Sequence, residues 1–202
     1  TAIGNSATGT INFNSTLYKF DGGTTTITST SGENIELGAT AATTIASAGE
    51  SLIFATGTID LSDGTNLTIN SVGGAISIAG IAGDSAETVT ISADDAIADG
   101  DAGDSTTETV SLGNVGDSGH TQIHNLTVTA DDGITLTGAI YTSGNGTAAD
   151  IVFNDKVLIN GNVIIDSDEG TGTDDGVITF TTSINGVDGT DDDLTIDGGT
   201  GT

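Results

Sequence analysis

The sequence lacks several residue types on which protein chemistry often depends. Its 202 residues include no Cys, Pro, Met, Trp or Arg. Without Cys there is no disulfide, no thiolate nucleophile, no zinc finger and no iron–sulfur site. Aromatic residues are also scarce, at 3% of the chain. Any core must therefore be filled by small and branched aliphatic side chains.

Positive charge is almost absent. Lys19 and Lys156 stand against 29 Asp and Glu residues, and the formal net charge is −27. Proteins bind nucleic acid largely through Lys and Arg that displace counterions from the phosphates. The composition therefore excludes nucleic acid and an anionic membrane surface as partners.

Long apolar runs are missing as well. The longest last only a few residues, whereas about 20 are needed to span a bilayer. The hydrophobic residues, 35% of the chain, form short β-branched clusters that can still fill a narrow core. We therefore expect a folded chain without membrane insertion. It begins at Thr1 with no leader-like segment, so we expect a removed signal peptide or a longer parent chain, and either suits an extracellular or cell-surface location.

What the sequence does contain is a series of short segments in which apolar residues alternate with Thr, Ser, Asn or Asp. This two-residue period is typical of β-strands with one buried face. Gly and Asp-Gly or Asn-Gly pairs separate the segments every 8 to 10 residues. The segments lie at residues 9–13, 33–37, 57–61, 66–70, 87–91, 108–112, 125–129, 133–137, 150–153, 176–180 and 193–197. The pattern predicts an all-β fold.

The spacing between similar segments indicates the architecture. Ile11, Ile35 and Ile59 open equivalent segments at intervals of 24 residues, and later intervals are 21 to 23. Three short strands and three turns use about this many residues. We therefore predict a right-handed parallel β-helix, or β-solenoid, of about nine coils. An antiparallel β-sandwich is the alternative, since Thr- and Val-rich sequences also give many short strands.

Acidic residues are distributed unevenly. Residues 1–83 contain six Asp or Glu, whereas residues 84–202 contain 23. The alternation of apolar and polar residues continues across this boundary. We therefore expect one solenoid rod over residues 1–202, less acidic in 1–83 and with acidic turns in 84–202, that is a segment or subunit of a longer fibre.

The carboxy-terminal part resembles a known class of repeats. Residues 125–138 read NLTVTADDGITLTG, residues 149–166 read ADIVFNDKVLINGNVIID, and residues 194–201 read LTIDGGTG. These phrases are similar to the repeats of giant filamentous-haemagglutinin-like surface proteins. The similarity is clear over residues 125–202, whereas residues 1–124 share only the general character of these repeats. It implies a right-handed β-helix, secretion and a role in adhesion, biofilm formation or predatory contact.

The acidic turns are candidate cation sites. Carboxylates stacked on successive coils repel one another unless water or a hard cation lies between them, and Ca²⁺ takes six to eight oxygen ligands from such turns. No complete EF-hand or nonapeptide calcium motif is present. The candidate calcium ligands are Asp99, Asp101, Asp104, Asp166, Asp168, Asp174, Asp175, Asp191, Asp192 and Asp193. The alternative is a solvated acidic surface that keeps the protein soluble.

Other chemistry is weakly indicated. His120 and His124 are expected to be surface residues rather than metal ligands. Paired Asp residues could serve a glycosidase, but aromatic platforms for sugars are missing. Thr-x-Thr pairs begin at Thr88, Thr127, Thr135 and Thr179 and are typical of solenoids that bind ice, but their irregular spacing argues against that role.

The function expected from these features is structural. We predict a non-enzymatic protein of an extracellular filament or surface adhesin that associates with copies of itself through open β edges. A host or cell-surface ligand of unknown kind fits the same role. The alternative is a spacer or binding module of an adhesin that is made rigid by Ca²⁺.

Overall fold

A computed structural model describes residues 1–4, 9–29, 34–38, 41–61, 64–84, 86–94, 108–117, 122–143, 147–168, 176–187 and 191–199. These residues form 21 β-strands and no helix. The strands are β1 (Ala2–Gly4), β2 (Ile11–Phe13), β3 (Leu17–Phe20), β4 (Thr25–Thr28), β5 (Asn34–Leu37), β6 (Thr43–Ala48), β7 (Leu52–Thr56), β8 (Thr58–Asp60), β9 (Leu67–Val72), β10 (Ile76–Ala82), β11 (Thr88–Ala93), β12 (Thr109–Val115), β13 (Asn125–Ala130), β14 (Gly133–Leu136), β15 (Ile140–Tyr141), β16 (Ile151–Asn154), β17 (Val157–Ile159), β18 (Asn162–Asp166), β19 (Ile178–Phe180), β20 (Ile184–Gly186) and β21 (Asp193–Asp197).

The strands wind into a parallel β-solenoid with three faces. The first face is the ladder β1-β4-β7-β10-β12-β14-β17-β20, and the third face is the ladder β3-β6-β9-β11-β13-β16-β19. The second face holds β2, β5 and β8, the ends of β10 and β12, and then β15, β18 and β21. All strand pairs between described residues are parallel. The predicted solenoid is confirmed, and the antiparallel sandwich is wrong.

The number of coils is slightly smaller than predicted. Within the described residues, the first face has eight successive strands and the third has seven, against about nine coils expected. The estimate of nine divided the whole length by the period, but residues 95–107 and other stretches between strands add length without adding a coil in the described part. The right-handed winding stays a prediction.

The core is a set of columns, mostly of aliphatic side chains, that run along the solenoid. In a parallel ladder without register shifts, the same inward position recurs on every coil. On the third face this gives the column Tyr18, Ile45, Ile69, Ile91, Val128, Phe153 and Phe180. From Ile45 to Phe153 these side chains are completely buried. Two-residue alternation in the sequence therefore places one stripe inside and one outside.

Two strands turn the corner between the first and second faces without a break. Ile76 to Ile78 of β10 pair on the first face, whereas Ile81 pairs with Ile59 on the second. The corner lies at Ala79 and Gly80, where small residues let two coils approach closely. The next coil has Gly113 at this level, and a Cβ there would clash with the Ala79 carbonyl oxygen. These small residues therefore follow from the shape of the corner.

The ladders continue across the change in acidity near residue 83. Strand β9 pairs with β11, and β10 pairs with β12, through unbroken registers. After the long insertion at residues 95–107, Thr88 to Ala93 still face Asn125 to Ala130 one for one. The insertion therefore interrupts the period in sequence but leaves the register of the paired strands unchanged.

Candidate functional site

The first candidate site consists of the two terminal coils of the described rod. Strands β1, β2 and β3 pair only with the coil above them, and β19, β20 and β21 pair only with the coil below, as far as the described residues go. Each of these strands thus presents unpaired N–H and C=O groups along its outer edge. Such edges are templates for pairing with another strand.

Core columns are exposed at the last coil. Ile196 continues the column of Ile165, and Ile184 continues that of Val157. Ile165 and Val157 are completely buried, but Ile196 is 48% exposed and Ile184 is 37% exposed. Phe180 stacks on the buried Phe153 with 5.2 Å between ring centroids and is itself only partly covered. The last coil therefore shows side chains at inward positions that a further coil would bury.

The first coil shows the complementary feature. Ile3, Ile11, Tyr18 and Phe20 lie at its rim and are only partly buried, although they pack on the core. Tyr18 packs edge-on against Phe13 at 4.6 Å between ring centroids. Both ends of the rod therefore expose apolar surface that continues the core columns.

The two ends differ in charge. Residues 1–20 contain Lys19 and no Asp or Glu, whereas residues 184–199 contain five Asp. The backbone nitrogen of Thr1 donates a hydrogen bond to the Thr24 carbonyl at 2.6 Å. A contact between unlike ends would bring opposite charges together, and a contact between two acidic ends would be repulsive.

The second candidate site is the set of acidic turns. Asp166 and Asp197 occupy facing positions on successive coils, and Asp193 faces Asn162. Asp192 Oδ1 accepts a hydrogen bond from the Gly161 amide at 2.8 Å, and Asp166 Oδ1 accepts one from the Asp168 amide at 2.9 Å. These two carboxylates therefore brace turns of the chain.

The structure does not assemble a metal centre from these carboxylates in its described part. There, no group of three or more His, Asp or Glu side chains is placed to hold an ion. Five of the ten candidate ligands, Asp99, Asp101, Asp104, Asp174 and Asp175, lie outside the described residues. Asp191 is described and exposed, at the start of the last acidic turn. Calcium binding stays a prediction.

Sequence reasoning missed a buried carboxyl group. Glu87 is completely buried, and its Oε2 accepts hydrogen bonds from the amides of Asp84 at 2.9 Å and Ala86 at 3.2 Å. Its Oε1 is buried without a hydrogen-bond partner among the described residues. Burial raises the pKa of the Glu87 carboxyl, and a side-chain hydrogen bond with Asp84 acts in the same direction. The sequence does indicate that Glu87 is buried, because it lies two residues before the inward Val89 and alternate residues of a strand point to the same side.

His124 is the neighbour of Glu87 on the next coil. Its backbone N–H donates to the Glu87 carbonyl at 2.8 Å, and its Nδ1 is buried without a hydrogen-bond partner in the described part of the chain. The side chain is half-buried, so His124 is less exposed than the expected surface histidine. His120 lies outside the described residues. Glu87 and His124 together form a polar cluster at the corner of the coil that precedes the third face.

A shallow groove of about 550 Å³ lies on the second face. Its lining includes Asp60 and Asp117 together with small residues such as Gly80 and Gly83. Asp60 Oδ2 accepts a hydrogen bond from Asn34 Nδ2 at 2.7 Å. The groove offers hydrogen-bonding groups, but its lining contains no Lys or His that could serve as a base or hold an anion.

Comparison with protein-family models, curated proteins and solved structures gives no match for this chain. The parallel β-solenoid is consistent with a β-helix repeat protein, and the similarity to filamentous-haemagglutinin-like repeats rests on the sequence pattern alone. Within the described residues there is no helix long and apolar enough to cross a membrane.

Proposed function

We propose that this chain is a non-enzymatic structural element of an extracellular filament or surface adhesin, and that further coils stack on both ends of its solenoid. The observation that carries the proposal is the exposure of core columns at the terminal coils. Ile196 is 48% exposed at a column position where Ile165, one coil earlier, is completely buried. Covering it with a coil from a second copy would extend the ladders and the core together.

The charge distribution supports a head-to-tail arrangement. The last coil carries the acidic residues Asp193 and Asp197, and the first coil carries Lys19. Unlike ends in contact make a heterologous interface, and an interface of this kind that does not close on itself generates an open filament. The high negative charge of the whole chain opposes side-by-side contacts. Growth along the axis is therefore favoured over lateral clustering.

The extracellular and adhesive part of the proposal rests on composition and on the repeat-like phrases. A chain of −27 charge without Cys suits a protein that needs no disulfide and remains soluble outside the cell. A rod of stacked coils holds whatever it presents at a fixed distance from its base. Its role would then be mechanical, and its partners would be copies of itself together with a host or cell-surface ligand.

Calcium-dependent stiffening is a second candidate function. Asp166 and Asp197 face each other on successive coils, about 4.8 Å apart along the ladder. At that distance two carboxylates repel unless water or a cation lies between them. A bound Ca²⁺ would convert this repulsion into a cross-link between coils, as the alternative of a calcium-stiffened adhesin spacer requires.

The stacking proposal is tested by a pair of matched substitutions. Ile196 points into the open core column, whereas Ile164, on the neighbouring strand, points outward and is 38% exposed. We expect wild type and Ile164→Asp to sediment as a concentration-dependent series of oligomers, and Ile196→Asp to remain monomeric. The proposal is contradicted if all three proteins stay monomeric at high concentration, or if both variants associate equally well.

A further inference from the structure

The last coil of the described rod ends in a step. The described strands begin on the first face with β1 and end on the second face with β21. The first and second faces each hold eight strand positions, because β10 and β12 bend across both, whereas the third face holds seven. The third face is therefore one strand shorter than the other two. We call the edges of β19, β20 and β21 together the terminal step.

A second copy of the chain can be placed on the terminal step in different orientations. In the same orientation as the first copy, β1 lies on β20 and β2 lies on β21. An empty strand position then separates β19 from β3, which are about 10 Å apart with unpaired N–H and C=O groups along both edges. In a copy turned by one face, β1 lies on β19, β2 on β20 and β3 on β21, so every edge is paired. A turn by two faces leaves two strand positions empty.

The inward side chains of the copy turned by one face complete the core of the last coil. Strand β2 sets Ile11 over β20, where the inward Ile184 is 37% exposed. Strand β3 sets Tyr18 and Phe20 over β21, where the inward Ile196 is 48% exposed. In a copy that is not turned, these two aromatic side chains face the empty strand position instead. The turned joint therefore buries apolar surface that the other joint leaves in water.

The outward charges favour the same orientation. Lys19 is exposed on β3, and Asp193 and Asp197 are exposed on β21 on either side of Thr195. When inward positions lie on inward positions, Lys19 faces Thr195 or one of the two carboxylates, so an Asp is directly opposite or on the diagonal. In a copy that is not turned, Lys19 lies on the side of β19, where residues 176–183 contain no Asp or Glu.

We propose that each copy of the chain stacks on the next with a rotation of one face about the rod axis. The rotation is about a third of a turn in a solenoid with three faces, and it pairs β1 with β19, β2 with β20 and β3 with β21. This inference rests on the end-to-end association of the proposed function and specifies which edges meet. The partner that the terminal step recognises is a second copy in this one orientation.

Paired cysteine substitutions distinguish the two joints, because the chain contains no Cys of its own. Asn12, the outward residue of β2, faces Asn185 of β20 in the turned joint and Thr195 of β21 in the joint without a turn. All three side chains are exposed, and none is Lys19 or an Asp. Facing positions on adjacent strands lie at the Cα separation that a disulfide requires. Asn12 lies on the first coil and both partner positions lie on the last, so a disulfide can only join two copies.

Each double variant is assembled under reducing conditions, checked for association by sedimentation, then oxidised and run on a denaturing gel without reductant. We expect Asn12→Cys with Asn185→Cys to give a ladder of covalent multimers, and Asn12→Cys with Thr195→Cys to remain a single band. Equal ladders from both pairs, a ladder from the second pair alone, or associated protein in which neither pair links would overturn the rotation but leave end-to-end association intact. Failure of the wild type to associate would contradict the proposed function itself, and the rotation with it.

Reversal of the two Lys charges tests the position of Lys19 in the joint. Lys19→Glu and Lys156→Glu change the net charge equally, and Lys156 is exposed between β16 and β17, below the last coil. We expect Lys19→Glu to raise the Kd for association about tenfold, because it places a third carboxylate beside Asp193 and Asp197. Lys156→Glu should leave the Kd close to that of wild type. Equal weakening by both substitutions would show an effect of net charge alone and would overturn the pairing of β3 with β21.

Discussion

The same substitution at successive positions of one core column should have very different consequences. Ile165 and Ile196 face each other on β18 and β21, and both point toward the core. Ile165 is completely buried, whereas Ile196 is 48% exposed at the last coil. Replacing each by Ala therefore compares a covered position with an open position in the same local geometry.

The expected magnitudes follow from burial. Truncation of a completely buried Ile removes its transfer free energy and leaves a cavity, which together cost about 2–5 kcal/mol. Full burial of such a side chain contributes about 1.5–3 kcal/mol, so Ile196, about half of which is already in water, should contribute about 1 kcal/mol in the monomer. Stacking of another coil would cover Ile196 and raise the cost of Ile196→Ala toward that of Ile165→Ala.

Urea unfolding followed by far-ultraviolet circular dichroism measures both effects. In dilute protein, Ile165→Ala should lower the free energy of unfolding at least twice as much as Ile196→Ala. Because each coil contacts only its neighbours, Ile196→Ala should act mainly on fraying of the last coil. In concentrated protein the two costs should converge. Equal costs in dilute protein, or a difference that does not change with concentration, would refute the reasoning.

Three further predictions concern polar groups and the corner of the coil. Because the pKa of Glu87 is raised, the stability it contributes in its neutral form is present below its ordinary pKa of about 4.5 and is lost as the pH rises through the raised value. Glu87→Gln should therefore flatten the pH dependence of the melting temperature, while Glu36→Gln, at an exposed site, should not; parallel profiles for wild type and Glu87→Gln would contradict this. If the acidic turns bind Ca²⁺, a 100-fold excess over its Kd should add about 2.7 kcal/mol to stability in thermal melts, reversed by chelator, and an unchanged melting temperature would count against calcium. Gly113→Ala should destabilise by about 1–3 kcal/mol in urea, because a Cβ there meets the Ala79 carbonyl, whereas Gly22→Ala has open space and should be close to neutral; equal effects would show that the corner is not tightly packed.

The fold could be predicted because its physical signal is local and repeated. Alternation of Ile and Val with Thr along each strand defines the inward stripe, and the interval of 24 residues between Ile11, Ile35 and Ile59 reappears as direct pairing of these three residues on the second face. The coil count was less predictable. Dividing the length of the chain by the period assumes that every residue belongs to a regular coil, whereas the period is already interrupted in the sequence at residues 95–107.

The candidate sites were harder to predict because they depend on register between distant segments. Glu87 and His124 are 37 residues apart in sequence, but the His124 backbone N–H donates to the Glu87 carbonyl, so their proximity exists only in the folded chain. Glu87 opens the predicted segment 87–91, and continuing the alternation back from Val89 places its side chain inside. To predict the open ends of the solenoid, one must know which strands lie last in each ladder. That information comes from strand pairing rather than from composition.

The central claim is that solenoid rods stack end to end, and cryo-electron microscopy of the concentrated protein tests it most directly. With eight strands along the first face of the described rod, each at about 4.8 Å, we expect filaments with a subunit rise of about 38 Å and an axial reflection near 4.8 Å. Single particles at all concentrations, or filaments without the axial reflection, would contradict end-to-end stacking of the coils.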